Sequence, residues 1–253
     1  MALLEVRDLT VQFGGVQALS GLSFDVDRGE VCGLIGPNGA GKTTLFNVIS
    51  RIYDPAGGSV RFDGRDVLAM QAHEVAQAGA VRTFQNLALW PRMSVLENVM
   101  VGAHVEGRQT FVSAMLDLGR RREESEYRTR GLQILDDLGL ARVALEPCVG
   151  LPFGTLKRVE LARSLISRPT LLMLDEPATG LTHSEVAELG ELIVEVRERY
   201  DLTILLVEHH MGLVMSVSDN VVVLDFGRKI ADGAATDVRE DPAVVEAYLG
   251  STT

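Results

Sequence analysis

The sequence predicts an α/β fold with a mixed, largely parallel sheet, an N-terminal antiparallel β subdomain and an inserted helical subdomain. Three patterns support this prediction. Short runs that alternate apolar and polar residues fill the first thirty positions, helical periods dominate from about 86 to 150, and strands then alternate with helices. We therefore expect one domain over 1–253, with 1–85 and 155–253 forming the core and about 86–154 forming the helical subdomain.

The N-terminal strands are predicted from the runs LLEVRDLTVQF and LSFDVD, which are joined by turn residues. The apolar run EVCGLI then predicts a buried strand, which leads into a glycine-rich loop and a helical pattern that begins at Gly41. The turn segment DPAGGS precedes a further short strand from Ser59 to Phe62.

The helical subdomain is predicted from the periods in SVLENVMVGA and EYRTRGLQILDDLGL. The mixed charges from Arg120 to Glu126 favour a solvated helix face over a specific binding role. The predicted elements that follow are a helix from about Thr155, strands over 170–174, 203–207 and 220–224, and a helix over 184–200. Because parallel strands need crossover connections, this alternation indicates a parallel sheet.

Composition excludes several classes of protein. The 253 residues carry 24 Lys and Arg against 35 Asp and Glu, a net charge of −11, which argues against a protein that coats nucleic acid. No stretch is apolar enough to cross a membrane, and the N-terminus lacks an export signal. Two cysteines, Cys32 and Cys148, are too few for a disulfide framework or a zinc site. We expect a cytoplasmic protein with Cys32 in its core.

A phosphate-binding loop is predicted where GPNGAGKT fits the pattern G-x-x-x-x-G-K-[ST] between a strand and a helix. Its glycines let backbone N–H groups point at phosphate oxygens, and the following helix presents the positive end of its dipole. Lys42 would reach the β and γ phosphates, and Thr43 would ligate Mg²⁺. The core is therefore predicted to be that of a P-loop nucleoside triphosphatase. The predicted nucleotide-binding residues here are Gly36, Pro37, Asn38, Gly39, Ala40, Gly41, Lys42, Thr43 and Thr44.

Two carboxylates follow the apolar run LLML at residues 171–174. Asp175 would act through Mg²⁺. Glu176, which points elsewhere, is the candidate general base that polarises the attacking water. Acids that merely cap a strand end would be the simpler interpretation of this pair alone, but a phosphate loop in the same chain favours the hydrolytic role.

With these motifs in order, the chain resembles the ATP-binding subunit of ATP-binding-cassette (ABC) transporters over nearly its whole length. The resemblance implies that Phe13 stacks on adenine. It also implies that Gln85, in RTFQN, is the catalytic and metal-contacting glutamine that senses the γ-phosphate and the membrane partner. His209, in LLVEHH, resembles the catalytic switch histidine.

Two segments depart from the family pattern. Residues 151–163 look like the signature segment at a helix start, but only Leu151 and Gly154 of the usual Leu-Ser-Gly-Gly-Gln remain, and Pro152 replaces the serine. The loop after Glu176 has Thr182 where the family has Asp. Both segments act across a dimer in this family, so the departures concern contacts between cassettes. Leu151 and Gly154 are still expected to contact nucleotide.

Within the family, VRTFQNLALWPRMSVLENVMVGAH and the ending DPAVVEAYLG look like the subgroup that energises uptake of branched-chain amino acids. The resemblance implies an ATP-hydrolysing subunit of an importer that uses ATP and Mg²⁺ and lies peripherally on the inner face of the cell membrane. Its partners would be integral-membrane permease subunits, a second cassette of the same or a paralogous chain and, indirectly, a solute-binding protein, but no nucleic acid.

Several alternatives stay open. Close relatives of this subgroup handle urea or short amides. Soluble cassette ATPases that remodel ribosomes or DNA resemble two cassettes in one chain or a cassette split by a long coiled coil, and neither feature is found. A GTPase would need an N-K-x-D or T-K-x-D string, which does not occur. Contact with the permease is expected near Gln85 and residues 86–105. The apolar run from Leu87 to Trp90 supports this expectation, but ordinary core packing is the alternative interpretation of the same run.

Overall fold

The computed structural model describes residues 1–83, 87–103 and 120–249, without the side chains of 120–122 and 249. The chain forms two compact units, Met1–Arg82 with Thr170–Thr253, and Thr83–Pro169. The boundary predicted at 154 differs from this division, which assigns 155–169 to the second unit. The reason is that the helix beginning at Phe153 packs against other helices of the second unit.

Strands occur in the first unit, and they are, in chain order, β1 (Ala2–Phe13), β2 (Val16–Asp27), β3 (Val31–Ile35), β4 (Gly57–Phe62), β5 (Arg65–Asp66), β6 (Ala80–Arg82), β7 (Leu171–Asp175), β8 (Thr203–Val207), β9 (Asn220–Asp225) and β10 (Arg228–Gly233). A four-stranded antiparallel sheet has the order β2-β1-β4-β5. It confirms the predicted antiparallel pairing of the first two strands.

The second sheet has six strands in the order β10-β9-β3-β8-β7-β6. Its pairs are parallel except for the antiparallel pair of β9 and β10. Every residue of β3, β7 and β8 is buried, as expected of central parallel strands covered on both faces. The predicted α/β class with a mixed sheet is thereby confirmed.

The helices of the described residues are α1 (Lys42–Ile49), α2 (Ala72–Gln77), α3 (Val95–Val101), α4 (Arg120–Asp137), α5 (Phe153–Leu165), α6 (His183–Tyr200), α7 (Met211–Val217), α8 (Ala235–Glu240) and α9 (Pro242–Leu249). Within these parts of the chain, no helix is both long enough and apolar enough to cross a membrane.

One apolar core joins the two sheets of the first unit. Phe24 and Phe62 enter it from the antiparallel sheet, Leu205 enters it from β8, and Phe46 contributes from α1. Cys32 is fully buried in the same core, as predicted. This packing holds the carboxyl ends of the parallel strands in place.

The second unit is a helical bundle in which α3, α4 and α5 pack against one another. Gly102, which follows α3, lies so close to α5 that an added Cβ would be 2.0 Å from the Arg163 carbonyl oxygen. A larger residue at 102 would therefore separate the two helices.

Candidate nucleotide site

Three segments with predicted site residues meet at one edge of the parallel sheet. Val207, at the end of β8, pairs with Leu34 of β3 on one side and with Asp175 of β7 on the other. Ligands of open α/β sheets bind outside the carboxyl ends of the strands. The phosphate loop, the two carboxylates and His209 each follow one of these three neighbouring strands.

The phosphate loop connects β3 to α1, and close backbone packing explains two of its glycines. A Cβ at Gly36 would lie 2.1 Å from the Leu224 carbonyl oxygen, and one at Gly41 would lie 2.6 Å from the Ala18 carbonyl oxygen. Gly41 also has a φ of 103° as it begins α1. No other residue type fits these two positions without moving the backbone.

Lys42 folds back over its own loop. Its Nζ donates to the carbonyl oxygens of Gly36, at 2.6 Å, and Pro37, at 3.0 Å, and the residue is 7% exposed. Burial lowers the pKa of Lys42 from its ordinary value, while the charges of Glu176 and Asp175 act in the opposite direction. The loop therefore holds a buried amine close to two carboxylates.

Asp175 ends β7 and is 4% exposed. Arg82, at the tip of β6, donates to it at 2.6 Å and to Asn47 Oδ1 at 2.8 Å. The guanidinium also lies 5.3 Å from the ring centroid of Phe46. Sequence reasoning did not single out Arg82, although a basic residue at the start of RTFQN was visible.

Glu176 has an unusual backbone for a residue with a side chain. Its φ is 48°, in the left-handed region, and its N–H donates to the Val207 carbonyl oxygen at 2.9 Å. Such conformations are costly and cluster at functional sites. Thr179 Oγ1 lies 3.4 Å from Glu176 Oε2. Asp175 and Glu176 therefore have different surroundings, the first buried beside Arg82 and the second half-buried.

His209 follows β8, and its side chain is 53% exposed. Its ring centroid lies 5.0 Å from that of His210. The preceding residue, Glu208, is fully buried, and sequence reasoning missed it. Its only signal in the sequence is an acid directly after the apolar strand TILLV.

Phe13 is 46% exposed at the end of β1. Its ring lies edge-on to Tyr53, with centroids 5.1 Å apart and planes 72° apart. A half-exposed aromatic pair of this kind can offer a face to a planar base. The stacking role of Phe13 stays a prediction.

The C-terminal helix also reaches the phosphate loop. Burial raises the pKa of the Tyr248 hydroxyl, and a hydrogen bond with the Gly36 backbone has the smaller, opposite effect. Tyr248 of α9 thus contacts the beginning of the loop.

The residues at this edge fit a magnesium nucleotide. The N-terminus of α1 and the Lys42 amine suit phosphate oxygens. The hydroxyl of Thr43, which is exposed in the first turn of α1, and the carboxylate of Asp175 are hard oxygen donors of the kind that Mg²⁺ prefers. Gln85, the third predicted metal-contacting residue, lies outside the described residues.

Thr182 begins α6 with a reciprocal cap. Its N–H donates to Glu185 Oε2 at 2.8 Å, and its hydroxyl accepts from the Glu185 N–H at 3.4 Å. The Thr182 hydroxyl also donates to Glu185 Oε2, at 2.7 Å, and the hydrogen bonds that this carboxylate accepts from the Thr182 N–H and hydroxyl lower the pKa of Glu185. The threonine at this departure from the family pattern therefore has a clear structural role.

In the second unit, the signature segment leads into α5. Pro152 is the N-cap residue, and α5 begins at Phe153, two residues earlier than predicted. Proline is compatible with a helix entry because its missing N–H would have had no intrahelical partner there. Leu151 and Gly154 are both half-buried at this helix start.

The loop before α3 is held by a buried amide. Asn98 is fully buried, accepts from the Trp90 N–H at 2.8 Å, and donates to the carbonyl oxygens of Trp90 and Ser94 at 3.0 Å each. Trp90 itself is 48% exposed. The predicted permease contact thus lies on a loop with a rigid anchor.

Comparison with known proteins agrees with this architecture. The ABC transporter family matches residues 19–179, and the family described as branched-chain amino acid ATP-binding cassette transporter matches 228–252. The chain is 41% identical to the high-affinity branched-chain amino acid transport ATP-binding protein BraF of Pseudomonas aeruginosa, covering 98% of both chains. It is 39% identical to LivG of Escherichia coli strain K12, again covering 98% of both.

Solved structures give the same result. The crystal structure of the ADP conformation of an ATP-binding cassette of an ABC transporter superposes with a TM-score of 0.87 at 31% identity, covering 99% of each chain. A nucleotide-free ATP-binding cassette gives 0.85 at 30% identity, covering 98% of this chain and 99% of the other. This chain therefore belongs to the ABC transporter family and is one of its ATP-binding cassettes, an ATPase.

Proposed function

We propose that this ATPase energises an importer of branched-chain amino acids. The observation that carries the proposal is that likeness to branched-chain transport subunits extends over 98% of the chain and includes a separate C-terminal family match at 228–252. That C-terminal region contains Tyr248, which contacts the phosphate loop. The subunit would bind permease subunits at the inner face of the cell membrane and work with a second cassette.

The proposed chemistry assigns one task to each segment at the sheet edge. Lys42 and the N-terminus of α1 bind the phosphates, and Thr43 and Asp175 hold Mg²⁺, which neutralises charge on the phosphates when it is bound. Glu176 orients and polarises the attacking water. It directly follows β7, which is separated from β3 and its phosphate loop by β8 alone, and it is half-buried. His209 contacts the γ-phosphate from the end of β8.

The remaining proposed contacts involve other parts of the chain. Phe13 stacks on adenine, and Gln85 contacts both the metal and the permease. Leu151 and Gly154 contact the nucleotide held by the second cassette, where Pro152 supplies no hydroxyl. The loop anchored by Asn98 is proposed to contact the permease.

The catalytic proposal is tested with Glu176→Gln in the purified importer complex. The amide fills the same space but cannot take a proton, so turnover should fall by at least about 100-fold while ATP affinity stays unchanged. Glu191→Gln, an exposed change on α6, is the matched control. Unchanged turnover in Glu176→Gln would refute the assignment of the base.

The substrate is tested by uptake in cells that lack the gene. Labelled leucine should enter again when the wild type or Glu191→Gln is supplied, and should not when Glu176→Gln is supplied. Labelled urea and acetamide are measured in parallel. Restored uptake of urea or acetamide, with leucine uptake independent of the gene, would contradict the proposed substrate class.

A further inference from the structure

A fully buried carboxylate connects two loops of the proposed site. Glu208 follows β8 and is 0% exposed. Its Oε1 accepts from the Ala178 N–H at 2.6 Å, and its Oε2 accepts from the N–H groups of His209 at 3.0 Å and His210 at 3.3 Å. Three backbone donors from two separate segments thus converge on one side chain.

Both of these segments carry proposed catalytic groups. Ala178 lies two residues after Glu176, in the turn between β7 and α6. His209 and His210 form the turn between β8 and α7. Glu208 Oε2 also lies 3.7 Å from His209 Nδ1, so the ring and the backbone of His209 face the same carboxylate.

The hydrogen bond from the Ala178 N–H, at 2.6 Å, is of the strong kind. Bonds from backbone N–H groups to a carboxylate are shorter than neutral ones and about twice as strong. A side chain that satisfies several backbone donors in a buried place restricts those donors to one arrangement. The relative position of the turns after β7 and β8 is therefore set by Glu208 as well as by the pairing of the two strands.

We infer that Glu208 is a positioning residue that holds Glu176 and His209 in their working arrangement. The inference rests on the proposed roles of these two residues. It concerns turnover and not nucleotide affinity, because the contacts of Glu208 are with the turns after β7 and β8, whereas Lys42 is held by carbonyl groups of its own loop.

Glu208→Gln in the purified importer complex tests the inference. Glutamine has the same shape, but its single oxygen can serve only one side, so an amide N–H₂ would face the N–H of Ala178 or those of His209 and His210. We expect kcat to fall by roughly 10- to 100-fold, as for a small displacement of catalytic groups, with ATP affinity within twofold of wild type.

Two further measurements separate positioning from general damage. Glu208→Asp keeps the negative charge with a shorter reach, and it should recover part of the lost kcat. Hydrogen exchange of the backbone amides of Ala178, His209 and His210 should accelerate in Glu208→Gln, while exchange in the strands β7 and β8 stays slow. Glu191→Gln again serves as the exposed control.

Each outcome decides a different question. The inference is overturned if Glu208→Gln keeps kcat within twofold of wild type, and also if kcat, ATP affinity and the melting temperature all fall together, which would indicate a merely structural role. Glu176→Gln is measured on the same preparation. If Glu176→Gln is inactive while Glu208→Gln is fully active, the inference fails and the proposed function stands. If Glu176→Gln retains turnover, the assignment of Glu176 as the base fails, and the inference about Glu208 fails with it, whereas the proposed transport function is decided by the uptake measurement.

Discussion

Replacing Lys42 by methionine removes the charge from the phosphate loop but keeps the length of the side chain. In the structure, Lys42 Nζ donates to the carbonyl oxygens of Gly36 and Pro37. The proposed role of the amine is to bind the β and γ phosphates. Lys42→Met should therefore weaken binding of ATP and ADP, and leave binding of AMP, which has neither phosphate, nearly unchanged.

The expected magnitude follows from the existing contacts. A hydrogen bond to a charged group contributes about 1.5 to 3 kcal/mol. Because Lys42 already donates to two carbonyl groups, binding exchanges partners and does not add a new one, so we expect the lower end of this range. A loss of about 1.5 kcal/mol corresponds to roughly tenfold weaker binding.

Isothermal titration of the purified chain with ATP, ADP and AMP measures this effect. Lys229→Met is the matched control, since Lys229 is an exposed lysine on β10 whose ion pair with Asp232 is 2.6 Å long. An ATP affinity of Lys42→Met within twofold of wild type would refute the reasoning. So would an equal loss for AMP, because the effect would then not depend on the β and γ phosphates.

The pKa of Lys42 adds a second test of the same residue. Burial lowers this pKa from 10.5, so the amine loses its charge at a lower pH than an ordinary lysine does. ATP affinity of the wild type should fall as the pH rises toward 10.5, and that of Lys42→Met should not follow the same curve. The unfolded chain binds the proton more tightly, so burying the charged amine destabilises the folded chain at lower pH. This penalty is lost as the pH rises through the folded pKa toward 10.5, and the free energy of unfolding increases with pH over that window.

Two further changes probe the second unit. Asn98→Leu leaves the Trp90 N–H without its acceptor and should lower the free energy of unfolding by about 2 to 3 kcal/mol in a urea titration; a change below about 0.5 kcal/mol would contradict the anchoring role. Gly154→Asp, in a Glu176→Gln background, should preserve ATP binding by the monomer but prevent ATP-driven dimerisation in light scattering, because a carboxylate would meet the phosphate of the opposite subunit. An unimpaired dimer would exclude contact between this segment and nucleotide.

The sequence predicted the elements around the phosphate loop closely, because local signals agree there. The strand predicted over 203–207 has these same limits in the structure, and the helix predicted from Gly41 begins at Lys42. A continuous apolar run bounded by turn residues specifies a buried parallel strand well. The short β6 lacks such a run, as does β10, in which no residue is fully buried, and neither strand was predicted.

For the candidate site, the sequence indicated which residues take part more completely than it indicated which residues contact one another. Motif spacing identified Lys42, Asp175 and Glu176, and β8 brings their strands together. Glu208 and Arg82 were missed because their importance depends on partners far away in the chain. A single acid after an apolar strand is usually a solvated strand end, and only the donors from two separate turns distinguish Glu208. The roles of Lys42, Asp175, Glu176 and Gln85 stay predictions.

The strand order has a consequence for how the protein is made. β8 lies between β3 and β7, although it is synthesised after both of them. A nascent chain that ends before residue 203 lacks β8, which pairs with β3 on one side and with β7 on the other. Such a chain cannot place the phosphate loop and Asp175 at a common edge of the sheet. We therefore expect a chain truncated before residue 203 to lack the sheet edge at which the proposed ATP hydrolysis takes place.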